Sequence, residues 1–279
     1  MQPQIEHVSD TALMVAACRA AESKRTDALI HDPFAERLAG ERGMALASSS
    51  PTMPVMQFGI GMRVRFMDEL LGSAIAKGVD TVLNLGAGLD ARPWRLDLPR
   101  ELRWIEVDFP EMIEYKRARL TDAVPRCRIE QASADLNRAA EREMVLDRAR
   151  EGGGRTLLIT EGLLMYLPAT TLEALASDAR AKEFRYWLLD VSSPELMRRA
   201  HGDLAEDINR VRAESHLAGR DILAVAAHEG WTVADSRRYV QYAPPLAYAR
   251  ISELTGPGGI DPKAPPPADD VSGVWLYQS

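Results

Sequence analysis

The chain has 279 residues, 46% hydrophobic and 27% charged, with a formal net charge of −7, enough length and apolar content for one full α/β core with additions. The acidic balance argues against general nucleic-acid binding, and two cysteines without paired spacing, Cys18 and Cys127, argue against a disulfide framework or a zinc knuckle. No apolar run approaches the roughly 20 residues of a membrane span and no signal-peptide pattern is present, so a cytoplasmic setting without membrane partners is expected.

In chain order, Ser9-Asp10-Thr11 predicts the cap of a helix running to Lys24-Arg25-Thr26-Asp27. A second helix is expected at His31-Asp32-Pro33-Phe34, with Asp32 as cap and Pro33 at its first position. Residues 43–54 read as loop. From Val55 to about Lys77, Met56, Ile60, Val64, Met67 and Leu71 recur at helical spacing, with Arg63 on another face and Gly78 as the stop. Val82, Leu83 and Leu85 mark a first buried strand, and Leu102–Val107 a second that ends on Asp108. Then come a helix from Pro110 to Leu120, a strand over Arg126–Gln131, a charged helix from Asn137 to Arg150 and a Gly152-Gly153-Gly154 turn. Thr156–Thr160 is a fourth strand ending on Glu161-Gly162, Thr170–Lys182 a helix, and Tyr186–Val191 a fifth strand.

Residues 192–219 are polar and helical in pattern, placed where an insertion would cover the mouth of a site. An amphipathic segment over Asp221–Glu229 precedes a sixth strand beginning at Gly230-Trp231-Thr232-Val233. A proline-stiffened loop around Pro265-Pro266-Pro267 precedes a last strand at Gly273–Tyr277. The final two strands are expected as a hairpin with no full helix between them. The whole predicts a doubly wound, seven-stranded, mostly parallel sheet, with residues 1–77 as a helical cap and 78–279 as the core.

The chemistry concentrates between Val79 and Asp108. Gly86-Ala87-Gly88-Leu89-Asp90-Ala91 fits the G-x-G-x-x-G/A turn that opens a nucleotide-binding crevice, and Asp108 stands about 20 residues beyond the glycines. Gly86 allows the tight turn, Gly88 allows close approach of a ligand, and Asp108 can accept hydrogen bonds from both hydroxyls of a ribose. Asp135-Leu136 follows the third strand, where a carboxylate can accept an exocyclic amine while an apolar chain packs on a base. Three acids at successive strand ends (Asp108, Asp135, Glu161) suit ribose hydroxyls, an adenine and an amine better than a pyrophosphate.

Those segments carry a resemblance. VLNLGAGLDARPWRL, EVDFPEMIEYKRARL, SADL and ITEGLLMYLPAT, with KRTD, HDPFA and RVRF upstream, resemble the leucine carboxyl methyltransferase family, including its bacterial branch of polyketide-type O-methyltransferases. The resemblance extends from Lys24 to about Leu172. It implies S-adenosyl-L-methionine as cofactor, with Gly86, Ala87 and Gly88 along its methionine part, Asp108 on the ribose, Asp135 and Leu136 at the adenine and Glu161 by the amine. Arg63 would pair with the methionine carboxylate as a guanidinium fork, assisted by Lys24 or Arg25. It further implies a small-molecule acceptor methylated on a carboxylate or a hydroxyl.

Tyr166 is the candidate for orienting that acceptor, with Arg63 beside it; Arg92 and Arg95 read more readily as surface charges. His7, His31, His201, His216 and His228 are scattered and form no catalytic set. Two other readings share the glycine turn: an NAD(P)-dependent oxidoreductase, and a non-catalytic protein that binds the cofactor without turnover. Nothing in the sequence specifies an oligomeric state.

Overall fold

The computed structural model describes residues 8–49, 52–193, 217, 219–255 and 270–279. Helices α1 (Val8–Ser23), α2 (Ala35–Ser49) and α3 (Met53–Ala76) lead into strand β1 (Thr81–Leu85). The short α4 (Arg92–Arg95), β2 (Arg103–Asp108), α5 (Pro110–Arg119), β3 (Arg128–Ser133), α6 (Ala139–Arg150) and β4 (Thr156–Thr160) follow. After a 3-10 turn at Leu164–Tyr166 come α7 (Ala169–Ala181), β5 (Tyr186–Val191), α8 (Gly219–His228), β6 (Thr232–Arg238), α9 (Tyr239–Thr255) and β7 (Gly273–Gln278).

The strands form one seven-stranded sheet in the order β3-β2-β1-β4-β5-β7-β6. The first five are parallel, and β7 runs antiparallel to both β5 and β6. Every residue of β1, β4 and β5 is buried, as expected of strands covered on both faces. Alternation divides them. Leu83, Leu85, Ile105, Leu158 and Leu189 pack with α6, α7 and α8 on one face. Val82, Trp104, Leu157, Ile159 and Leu188 pack on the other against Met62, Phe66, Met67, Leu70 and Leu71 of α3.

The predicted seven-stranded, mostly parallel sheet is present, with local corrections. The loop read over 43–54 is largely helix, because Ala45, Leu46 and Ala47 favour one and α2 runs to Ser49. Gly43 lets α2 cross α1 closely: a Cβ there would lie 2.7 Å from the Leu13 carbonyl oxygen. Gly40, at φ 59°, breaks the helix regularity one turn earlier. Asp10 lies inside α1 rather than capping it, and its carboxylate binds Arg42 at 2.6 and 2.8 Å. The second helix begins at Ala35, two residues later than read, because Asp32 folds a turn through its carboxylate and the Phe34 N–H.

The third strand also starts two residues later than read, at Arg128. The closing strands pair as expected, but α9 lies between them where no helix was read; Pro244-Pro245 masks its pattern, and its helical dihedrals break at Ala247. Most of the 192–219 insertion, and the proline loop, lie outside the described residues.

One long-range clamp fixes the helical layer. Glu22 of α1, fully buried, takes both terminal nitrogens of Arg250 of α9 at 2.8 and 2.7 Å. The same carboxylate accepts from the Leu29 N–H and from Gln57 of α3, while Arg250 lies 4.9 Å over the Phe58 ring. Burial would raise the Glu22 carboxyl, but Arg250 and these further donors hold it below its ordinary value.

Candidate functional site

The turn after β1 is built on two left-handed glycines, Gly86 at φ 62° and Gly88 at φ 44°. The Ala87 N–H donates to the Val107 carbonyl, which ties the turn to β2. Asp108, at the end of β2, completes it: its two oxygens accept the Gly88 and Phe109 N–H groups, each at 2.7 Å. Burial still raises its carboxyl above the ordinary value against those donors.

This turn forms one wall of a cavity of about 450 Å³ at the carboxyl ends of the strands. The position is the one a doubly wound sheet reserves for ligands. The opposite wall comes from α1 and the first half of α3, through apolar groups such as Val15, Val55, Phe58 and Ile60.

Beneath the cavity lies a network of charges. Arg63 donates from Nε to Glu161 at 2.9 Å and lies 3.5 Å from Asp190 through Nη1. Arg92 binds Glu161 at 2.7 Å, Asp90 at 3.0 Å and Asp68 at 2.6 Å. Arg95 joins at Asp68, and Asn84 donates to Asp90. Burial would raise the Glu161 carboxyl, but Arg92 and Arg63 hold it below its ordinary value. Asp190, which accepts the Gly162 N–H at 2.6 Å, is raised by burial despite Arg63. Two buried N–H groups of cavity-lining arginines, Arg92 Nη2 and Arg95 Nε, make no hydrogen bond among the described residues.

Asp90 supplies a pH test. Burial alone would raise its carboxyl, yet Arg92 and Lys116 hold it at about 2 against an ordinary 3.8. A depressed carboxylate contributes stability above its unfolded value and loses it as pH falls toward the folded one. Between pH 4 and 2 the protein therefore loses roughly 2 kcal/mol from this group. Asp90→Asn should flatten that acid limb in denaturant titrations; an unchanged slope would remove Asp90 from the account.

Of the residues singled out from sequence, Arg63, Gly86, Ala87, Gly88, Asp108, Asp135, Leu136, Glu161 and Tyr166 all line this cavity. Asp135 receives the Asn137 N–H on one oxygen, and Leu136 is buried beside it. Tyr166 is half-buried at the end of the 3-10 turn.

Arg25 is not brought there: it is exposed and pairs with Asp27 at 2.7 Å, while Lys24 pairs with Glu36. The cation that α1 does supply is Arg19, fixed by Asp32 at 2.9 Å and the Leu89 carbonyl at 2.6 Å. Its spacing from Ala12 and Val15, seven and four residues along one helix face, is the signal that would have found it. The side chains of Arg92 and Arg95 are buried, not surface charges: Asp68 of α3, distant in sequence, pairs with both, and Asp90 and Glu161 add to it at Arg92. Asn84, Asp90 and Tyr239 also line the cavity and were not singled out for it. His31 and His228 are exposed; the other histidines lie outside the described residues.

The chain is similar to known proteins in sequence and in fold. The leucine carboxyl methyltransferase family model matches residues 12–179. A Mycobacterium marinum protein provisionally named an S-adenosyl-L-methionine-dependent methyltransferase is 35% identical over 192 residues, covering 62% of this chain and 60% of its own. A Streptomyces coelicolor protein with the same provisional name is 38% identical over 177 residues, covering 59% and 62%. The chain thus spans about three fifths of the length of these relatives. A third, from Mycobacteroides abscessus, is 32% identical and covers 79% of this chain and 78% of its own.

Among solved structures, a DUF574 family protein from Streptomyces avermitilis superposes with a TM-score of 0.59 at 14% identity, covering 94% of this chain and 96% of its own, a likeness of fold. With the family match running from α1 through α7, across the glycine turn and every strand-end acid of the cavity, this chain belongs to the leucine carboxyl methyltransferase family.

Proposed function

We propose that the protein is an S-adenosyl-L-methionine-dependent O-methyltransferase acting on a carboxylate or hydroxyl of a small molecule. The observation that carries this reading is one cavity bringing Asp108, Asp135, Glu161 and Arg63 together around the glycine turn. Family membership and the provisional names of the relatives support it. The donor set fits such a ligand. Asp108 offers carboxylate oxygens to ribose hydroxyls, and Asp135 with Leu136 offers an acceptor and an apolar wall to adenine. Glu161 suits an ammonium group, and Arg63 a carboxylate.

When bound, the cofactor would supply an electrophilic methyl carbon on a sulfonium. The chain's own task is to hold the acceptor oxygen in line and keep water out, and positioning of this kind accounts for much of the rate. Tyr166 orients that oxygen in this reading. An acceptor carboxylate is already ionised at neutral pH and needs no base, whereas a hydroxyl benefits from one within hydrogen-bond reach. Residues 1–77 act as the cap over the core of residues 78–279, with α1 closing the cavity through Ala12, Val15 and Arg19.

The first test is calorimetric titration of S-adenosyl-L-methionine and, separately, NAD; binding of NAD alone would return the glycine turn to the oxidoreductases. Labelled methyl transfer to a panel of small carboxylic acids and phenols follows, and base-labile product separates esters from ethers. Binding without transfer to any acceptor would favour the non-catalytic alternative. In the same titration Arg25→Ala should leave affinity within about twofold, as for most exposed pairs. Arg63→Lys, which has no second nitrogen to offer a ligand while pairing with Glu161, should weaken it about tenfold. Equal effects of the two substitutions would sink the assignment of Arg63.

A further inference from the structure

The amino-acid end of the proposed cofactor needs more than one donor, since a carboxylate has about four lone-pair sites. The cavity holds two donors side by side. Arg63 engages Glu161 through Nε and Asp190 through Nη1, which leaves Nη2 without a partner among the described residues. Tyr239, the first residue of α9, lines the same cavity, and its hydroxyl makes no hydrogen bond to a described residue.

The chain places that phenol deliberately. The Tyr239 N–H donates to the Ser272 carbonyl just before β7, which fixes the junction of β6 and α9. Its ring stacks on Phe66, centroids 6.1 Å apart and planes 18° from parallel. Phe66 is fully buried and stands one helical turn after Arg63 on α3, so the stack sets Tyr239 beside the guanidinium. The two are close enough for each charge to act on the other. Burial together with Asp190 keeps the phenol protonated well beyond its ordinary range, against the pull of Arg63. A neutral phenol beside a guanidinium donates; it does not act as a base.

We propose that Tyr239 donates its phenolic hydrogen to the carboxylate of the amino-acid end of the ligand, alongside Arg63, an assignment that rests on the S-adenosyl-L-methionine reading above. The neighbouring Glu161, 2.9 Å from Arg63 Nε, then meets the ammonium group. Two donors next to one acid match the carboxylate and ammonium of an α-amino acid, which are separated by a single carbon. Tyr166 keeps its proposed place on the acceptor side, since it comes from the turn after β4 rather than from the β6–α9 junction.

The test uses the whole protein and two ligands: S-adenosyl-L-methionine, and its decarboxylated analogue, which keeps the sulfonium and the amine. Tyr239→Phe keeps the ring on Phe66 and removes only the hydroxyl. It should weaken S-adenosyl-L-methionine about tenfold in calorimetry and leave the decarboxylated analogue within about twofold. Equal affinity of wild type and variant for S-adenosyl-L-methionine would overturn the assignment, as would an equal loss for both ligands, the mark of a merely structural role. Arg63→Lys provides a second reading: combined with Tyr239→Phe, its loss should be non-additive, and strict additivity counts against a shared carboxylate. If wild type bound neither ligand, the cofactor reading itself would fail, a result separate from any failure of Tyr239.

Discussion

Replacing Asp108 by alanine should cost roughly 100-fold in affinity for S-adenosyl-L-methionine, the largest functional effect expected of a single substitution in this cavity. Hydrogen bonds to an ionised acceptor contribute about 1.5–3 kcal/mol each, and two ribose hydroxyls would both be orphaned. The carboxylate also holds the Gly88 and Phe109 N–H groups at 2.7 Å, so the glycine turn loosens with the same substitution. Asp108→Asn separates the two contributions, because one amide oxygen still accepts while the amide nitrogen repels an N–H donor; its loss should be intermediate. Calorimetry reads both variants. An alanine variant that bound within a few-fold of wild type would mean that the ribose lies elsewhere.

The largest effect on stability is expected two residues upstream. Glu106 of β2 and Lys116 of α5 are both completely buried and meet at 2.6 Å, with Gln131 donating to the second carboxylate oxygen. Lys116 also lies 5.5 Å over the Trp94 ring. Burial raises the Glu106 carboxyl, and Lys116 opposes that rise. Glu106→Leu would leave a buried ammonium with no carboxylate in contact, at a cost of about 3–5 kcal/mol. The double variant Glu106→Leu with Lys116→Met removes both charges and should return close to wild-type stability. Urea unfolding of the four proteins of the cycle measures the difference, and a single variant within about 1 kcal/mol of wild type would show that Lys116 finds another partner.

What could be read from sequence was what is local. The glycine turn, the buried runs of β1, β4 and β5 and the acids at strand ends are written in adjacent residues, because strand burial and turn chemistry act over a few positions. That suffices for the sheet and for most of the cavity floor. The misreadings are non-local. Arg92 looks like any arginine in a loop until Asp68, 24 residues back, and Glu161, from another strand end, are brought to it. Choosing between the cation within α1 and those just after it depends on which face of that helix meets Asp32 and Leu89, and so Arg19 rather than Arg25 reaches the cavity. Helix α9 was hidden by Pro244-Pro245, and with it Tyr239, whose position depends on stacking against α3.

The clamp between Glu22 and Arg250 has a consequence for synthesis on the ribosome. The two residues are separated by 228 positions, and Glu22 is fully buried in the finished molecule. Helix α1 emerges early, but its acid lacks the arginine until the nascent chain has been extended almost to the last strand. A carboxylate of this kind is costly to bury without its cation, so α1 should settle onto α3 late, after the sheet has formed beneath it. Chains arrested before residue 250 should then carry a folded β1–β5 core with an unseated first helix, open to proteolysis at a segment that the 279-residue chain protects.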